Sequence, residues 1–315
     1  MNIKWQTLIL IILILVSFSL TRIKIEPAAI VKPASPNVYR GINPVSASLL
    51  NSFAQKGFPE ANRGPSRDWN VLDPGIQAEA VFIQSLDDNF PLLRYNTYKT
   101  WPAASLTKLL TAVVVLEEIG QDKKIPISEQ AVATEGESGG LKPGEVYVSR
   151  DLLKIMLLTS SNDAAAAFEE YFNGKDAFAR LLNQKAAGLG MAQSIFHDAV
   201  GLSDLNESSA NDLLLLLKYI TQSQPEILSW TRLQSFIVQP INDDKSRVIN
   251  NIIPFVSDSN FLGGKTGTSD EAKENLVAIF SLNNRRLAVI LLGSPNRIEE
   301  VGTLLKWVSE AYAFN

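Results

Sequence analysis

Cysteine is absent from this chain of 315 residues, and histidine occurs once, at His197. These two shortages exclude a thiol nucleophile, an iron–sulfur cluster and a zinc site of Cys and His ligands. A Ser-His-Asp triad would have to rest on His197 alone. No charge sign dominates either: 29 Lys and Arg against 33 Asp and Glu leave a net charge of −4. The charges are spread along the chain without a basic stripe, which argues against nucleic acid as a partner. Internal repeats are lacking as well, and the length suits one large domain or two small ones.

One long hydrophobic run is present, and it is terminal. Thr7–Leu20 reads TLILIILILVSFSL, preceded by Lys4 and closed by Thr21 and Arg22. A terminal run with no polar face is a signal-peptide core or a membrane anchor, so residues 1–21 are expected to direct export and residues 7–20 to meet the membrane. Lys4 and the amino terminus are balanced by Arg22 and Lys24, so flanking charge does not fix the orientation. Residues 22–75 then carry Pro27, Pro33, Pro36, Pro44, Pro59, Pro65 and Pro74 among small and polar residues. Such a composition is that of a flexible tether.

The remaining chain, residues 76–315, reads as one domain. Ala80–Ser85 and Pro91–Tyr95 flank an Asp-Asp-Asn turn and predict a hairpin. Helices are expected over 150–158 with Ser149 as cap, 163–171, 176–187 and 211–221, and a glycine-rich loop over 123–147. Phe261–Ser269, Leu276–Leu282 and Arg286–Leu292 predict three late strands, the last two joined at Asn283-Asn284, and 298–313 predicts a closing helix. Strands at both ends around a helical middle imply an α/β fold: an antiparallel sheet of about five strands flanked by helices, with a helical insertion.

The stretch that organises the rest is Trp101–Gly120, WPAASLTKLLTAVVVLEEIG. Pro102 is placed to start a helix, and apolar residues nearly all round predict that the helix is buried. Ser105 and Lys108, three apart, share a face at its first turn. They form the only Ser-x-x-Lys pair in the chain. A buried ammonium loses hydration it cannot recover, so the amine is driven toward the neutral form. A neutral amine beside a hydroxyl is a base beside a nucleophile. Standing alone, such a pair is more often structural than catalytic.

Two further stretches follow in order: Ser160-Ser161-Asn162, in a break between two helices, and Lys265-Thr266-Gly267, on an expected strand. Ser-x-Asn by itself is weak, since it recurs at Ser35, Ser209, Ser281 and Ser294. The ordered trio, however, is the signature of class A β-lactamases and penicillin-binding proteins. With PAASLTKLLTA, LKPGEVYVSRDLLKIMLLTSSNDAAAAF, HDAVGLSD, SSANDLLLL and GGKTGTSDEAKENLVA, the chain resembles the low-molecular-mass penicillin-binding proteins that act as serine-type D-alanyl-D-alanine carboxypeptidases. The resemblance runs from about Ala80 to Ala313 and implies a β-lactamase/transpeptidase-like fold. It departs from the family at Lys273, where glycine is usual. A β-rich C-terminal domain common in the family is not expected here, and the tether is expected to take its place.

The resemblance implies that Ser105 attacks the carbonyl between two D-alanines of a peptidoglycan stem peptide and that Lys108 takes its proton. A free lysine titrates near ~10.4, so half-deprotonation at neutral pH requires about 4 kcal/mol of bias against the ammonium. Burial and a second cation, Lys265, are expected to supply it. Ser160 would relay a proton to the leaving D-alanine and Asn162 would hold the substrate amide. Lys265 and Thr266 would take the terminal carboxylate, Gly267 would admit the substrate backbone, and the N–H groups of Ser105 and Thr268 would hold the oxyanion. No metal or organic cofactor is implied, and β-lactam antibiotics are expected as inhibitors. His197 is expected to shape a loop, Asp163 to cap a helix, and Ser161 to act as a spacer. A D,D-endopeptidase would use the same residues on cross-links. A β-lactamase would need a glutamate for deacylation, and Glu169 with Asn173 lies on the helix after Ser160 rather than on a later loop. A catalytically dead, wall-binding or penicillin-sensing module is expected to have lost Ser105, Lys108 or Lys265, and all three are present.

Overall fold

The computed structural model describes residues 64–314. The apolar run Thr7–Leu20 and most of the 22–75 stretch lie outside the described residues, among which no helix is long and apolar enough to cross a membrane.

The described residues open with β1 (Ser66–Arg67), β2 (Ala80–Ser85), β3 (Pro91–Tyr95) and β4 (Thr100–Pro102). A 3₁₀ turn over Ala104–Leu106 leads into α1 (Thr107–Ile119), then β5 (Lys124–Pro126), α2 (Glu129–Val132) and β6 (Val146–Val148). The helical middle continues with α3 (Ser149–Leu158), α4 (Asn162–Tyr171), α5 (Lys175–Gly188), β7 (Glu207–Ser209), α6 (Ala210–Ser223) and α7 (Glu226–Thr231). A small hairpin of β8 (Ser235–Val238) and β9 (Arg247–Asn250) precedes β10 (Phe261–Ser269), β11 (Lys273–Leu282) and β12 (Arg285–Ser294). The chain closes with α8 (Arg297–Ala311) and β13 (Tyr312–Ala313).

The main sheet has five antiparallel strands in the order β10-β11-β12-β2-β3, so the two ends of the domain close one sheet around the helical insertion. Phe82, Val277, Ile279, Ala288 and Ile290 face the helices of the insertion. Val81, Ile83, Leu276, Phe280, Leu287 and Val289 face the other side, against Leu304, Trp307 and Val308 of α8. Because both faces are covered, the central strands are continuous apolar runs instead of alternating ones. Asn283 and Asn284, with φ of 50° and 59°, turn β11 into β12. Both are left-handed, as a two-residue hairpin turn requires.

Several local expectations shift. Trp101 and Pro102 do not start the helix; they pair with Ser208 and Glu207 as β4 against β7. Ser149 is the first residue of α3 and makes no cap bond, since its Oγ donates to Gly120 O at 2.7 Å. The glycine-rich loop holds the β5–β6 pair and the short α2. Part of the stretch assigned to the tether lies on the domain: Ser66–Arg67 pair with Tyr312–Ala313, and Trp307 Nε1 donates to Leu72 O at 2.9 Å.

Helix α6 joins insertion to sheet, packing on β12 and β2 through a face that includes the fully buried Leu217. Leu217→Ala is expected to cost about 2–5 kcal/mol through lost burial and the cavity it leaves. Urea denaturation of the full chain measures this, and a loss under about 1 kcal/mol would contradict the packing described.

Candidate active site

The pairing of β4 with β7 holds the chain extended up to Pro102, and Ala103 N–H donates to Asn206 O at 2.7 Å. Ala104 then turns sharply, with φ of 47°, a left-handed conformation uncommon for alanine. The 3₁₀ turn that follows carries Ser105. Two glycines permit the close packing around this turn. A methyl group on Gly201 would lie 2.2 Å from Ala104 O, and one on Gly267 would lie 2.9 Å from Ala103 O and 3.2 Å from Ser105 N. Thus the loop after Val200 and the strand β10 both touch the backbone that bears Ser105.

Helix α1 is buried on all sides from Thr107 to Leu116, and Lys108 is fully buried within it. Its Nζ lies 2.9 Å from Ser105 Oγ and 2.8 Å from Asn162 Oδ1, and also bonds Val200 O. The last two atoms can only accept. In its neutral form the amine would give its two N–H bonds to these acceptors and turn its lone pair toward the Ser105 hydroxyl. Burial pushes Lys108 down to about 7, against the upward pull of Asp198, Glu137, Asp163 and Glu169. The expected contribution of Lys265 is therefore not what lowers Lys108; desolvation is. Lys265 itself, also fully buried, is held well below the lysine range by burial first and then by the charges of Lys108 and Arg297.

Ser160 sits in the break between α3 and α4 with φ of 58°, again left-handed. Its Oγ accepts from Lys265 Nζ at 2.9 Å, and Lys265 also donates to Thr266 O at 2.7 Å. Asn162 is fixed at both ends: its N–H donates to Glu137 O at 2.7 Å and its Nδ2 to Glu135 O at 2.7 Å. One site therefore unites Ser105, Lys108, Ser160, Asn162 and Lys265. Thr266 and Gly267 are buried beside them on β10, and Thr268 is exposed at its end.

Corrections concern the neighbours. Ser161, expected to be a spacer, caps α4 by accepting Ala164 N–H at 2.9 Å. Asp163 is not that cap; its carboxylate mainly holds the 138–139 loop through Ser138 Oγ and Gly139 N–H, each at 2.9 Å. His197 is exposed, and the loop is shaped by Asn206, which accepts the His197 N–H at 2.7 Å and bonds Asp198. Glu169 is buried with its carboxyl pushed up, first by burial, and accepts Ala199 N–H at 2.6 Å, so it is committed to a backbone group behind Val200. Lys273 adopts φ of 53°, which explains why glycine suits that position. Its Nζ pairs with Glu79 at 2.9 Å over the Trp101 ring. Arg297 was not legible in the sequence: its guanidinium reaches Thr268 Oγ1 at 2.6 Å and Gly267 O at 3.0 Å from the start of α8.

Comparison with known proteins agrees with this geometry. A family model described as D-alanyl-D-alanine carboxypeptidase matches residues 69–296. The chain belongs to that family. It is 26% identical over 246 residues to the D-alanyl-D-alanine carboxypeptidase DacF of Bacillus subtilis, covering 75% of this chain and 62% of that protein. It is 28% identical over 270 residues to the D-alanyl-D-alanine endopeptidase of Escherichia coli, covering 83% and 86%. Among solved structures, a D-alanyl-D-alanine carboxypeptidase from Mycobacterium tuberculosis aligns with a TM-score of 0.70 at 25% identity, over 79% of this chain and 98% of that one. Penicillin-Binding Protein D2 from Listeria monocytogenes in a cefotaxime-bound form aligns with a TM-score of 0.65 at 27% identity, over 75% and 99%.

The Lys108 environment fixes a pH dependence. Acylation of Ser105 needs the neutral amine, so its rate is expected to rise with pH through about 7. The folded-state value lies below that of an unfolded lysine, so the unfolded state binds more protons between the two. The contribution of Lys108 to stability is therefore present above the ordinary lysine range and is lost as pH falls toward about 7. Stopped-flow acylation against pH checks the rate, and a profile flat from pH 6 to pH 9 would contradict it.

Proposed function

We propose that the chain is a serine-type D-Ala-D-Ala carboxypeptidase that removes the terminal D-alanine of peptidoglycan stem peptides through an acyl-enzyme on Ser105. The single observation that carries this reading is the position of the fully buried Lys108 Nζ, 2.9 Å from Ser105 Oγ, with Asn162 Oδ1 and Val200 O as its other partners. Ser105 Oγ attacks the penultimate D-alanine carbonyl and its proton passes to Lys108 Nζ. The N–H groups of Ser105 and Thr268 take the developing oxyanion. As the C–N bond breaks, the leaving amine receives a proton through Ser160, which already touches Lys265. Asn162 holds the substrate amide. Lys265, Thr266 and Thr268 receive the terminal carboxylate, whose charge favours the ammonium form of Lys265. Water then hydrolyses the ester, and the steps call for no metal or organic cofactor. A β-lactam ring amide would acylate Ser105 in the same way, which the cefotaxime-bound Listeria relative supports by analogy.

The E. coli endopeptidase relative supports a second reading, in which the same groups cut a D,D cross-link. We further place the domain outside the bacterial cytoplasmic membrane, either secreted or held there by residues 1–21 and the tether. Support comes from the terminal apolar run and from the location of the proposed substrate. Glu169 lies on α4 directly after Ser160 rather than on a later loop, and one of its oxygens accepts Ala199 N–H, so it does not favour the β-lactamase reading.

Incubation with a stem pentapeptide and with a cross-linked dimer, followed by intact mass, separates the readings. The expected result is loss of one alanine from the pentapeptide and a penicillin adduct on Ser105, both abolished in Ser105→Ala. Cleavage of the dimer alone would establish the endopeptidase, and full activity of Ser105→Ala would overturn the mechanism. Lys265→Ala is expected to raise KM for the pentapeptide about tenfold or more by removing the carboxylate's charge partner. Unchanged KM and rate would contradict that assignment.

A further inference from the structure

We propose that Asn275 is a positioning residue that braces the strained turn before Ser105 and thereby sets the spacing of the two oxyanion donors, an inference that rests on the acyl-enzyme reading above. Asn275 is fully buried on β11, opposite Gly267 of β10. On its other side the ladder to β12 slips: Glu274 faces Ser294 and Leu276 faces Leu291, so Asn275 alone stands opposite Leu292 and Gly293. Gly293 has φ of 70° and its N–H is turned out of the regular ladder. Asn275 Oδ1 accepts that N–H at 2.8 Å. The β-bulge is on β12, and the backbone N–H it turns out of the ladder at Gly293 is taken up by the carboxamide of Asn275.

Its Nδ2 points the other way, to Pro102 O at 2.8 Å and Ala103 O at 3.4 Å. These are the last two carbonyls before left-handed Ala104 and Ser105. Strained backbone persists only where its surroundings over-determine it. Asn206 O holds the Pro102–Ala103 peptide from its N–H side, and Asn275 holds the same peptide from its carbonyl side through Pro102 O. Backbone at Asn275 is tied in as well, because Arg297 Nη1 donates both to Asn275 O at 2.9 Å and to Gly267 O at 3.0 Å. Asn275 thus couples the turn bearing the Ser105 N–H to the strand bearing the Thr268 N–H. Hydrogen bonds of donors to an oxyanion depend steeply on placement, so slackening the brace should slow the chemical step and spare substrate binding.

The test uses the full-length chain in mild detergent, with a fluorescent penicillin and a stem pentapeptide. Asn275→Ala is expected to lower the acylation rate and kcat about 10- to 100-fold while KM stays within about threefold. Adding Ala104→Gly, which accepts the left-handed turn without strain, is expected to recover at least about fivefold of the loss. If Asn275→Ala does not fold, Asn275→Asp serves, since it keeps the shape and the acceptor for Gly293. Its protonated carboxyl can still donate to Pro102 O, so its rate relative to the unsubstituted chain is expected to rise as pH falls. A rise in KM at unchanged kcat, no recovery with Ala104→Gly, or a pH-independent ratio for Asn275→Asp would each overturn the role. If the unsubstituted chain forms no Ser105 adduct, the acyl-enzyme reading itself falls and this role with it. If that adduct forms equally fast in Asn275→Ala, only the positioning role falls.

Discussion

The burial of one ammonium group governs this structure. Lys108 is enclosed by a helix that is apolar on every side, and no carboxylate bonds its Nζ. Its three partners are a hydroxyl, a carboxamide oxygen and a backbone carbonyl, which can hold a neutral amine as well as a charged one. Desolvation therefore decides, and it moves the group to about 7 against four more distant carboxylates. Placing any of those carboxylates in direct contact would restore the charge and remove the base.

Around this amine, the fold holds backbone in unfavourable shapes. Ala104 and Ser160 are both left-handed, and each immediately adjoins or carries a hydroxyl of the site. Each is held by long-range contacts: Ala104 between Asn206, Asn275 and Gly201, Ser160 between Lys265 and two helices. Stability supplied by the doubly covered sheet is thus spent where geometry matters. The position of the site follows from the topology, because the insertion delivers α1 and α4 to the edge strand β10.

Much of this was legible in the sequence. Order and spacing of Ser105-x-x-Lys108, Ser160-x-Asn162 and Lys265-Thr266-Gly267 named the residues that converge, since each motif acts through local geometry. The five-stranded sheet was legible because its apolar runs stand at both ends of the domain. Less local features were not. Pro102 looked like a helix start because proline suits both a first helical turn and a strand end, and only the pairing with Glu207 decides. Ser161 and Asp163 both suit an N-terminal cap, so their division of labour needs the 138–139 loop in place. Arg297 carried no motif, and Asn275 lay within GGKTGTSDEAKENLVA with no role to be read from its position. Their roles arise from contacts across 18 to 173 residues of sequence, which no local pattern encodes.

The most direct test of this account is the titration of Lys108 itself. With lysine side chains labelled at the Cε carbon, NMR against pH should show one resonance with a midpoint near 7 that disappears in Lys108→Met. A Lys108 resonance that titrates near the ordinary lysine value would mean that the amine is charged at neutral pH, and the buried base on which the proposed chemistry depends would not exist.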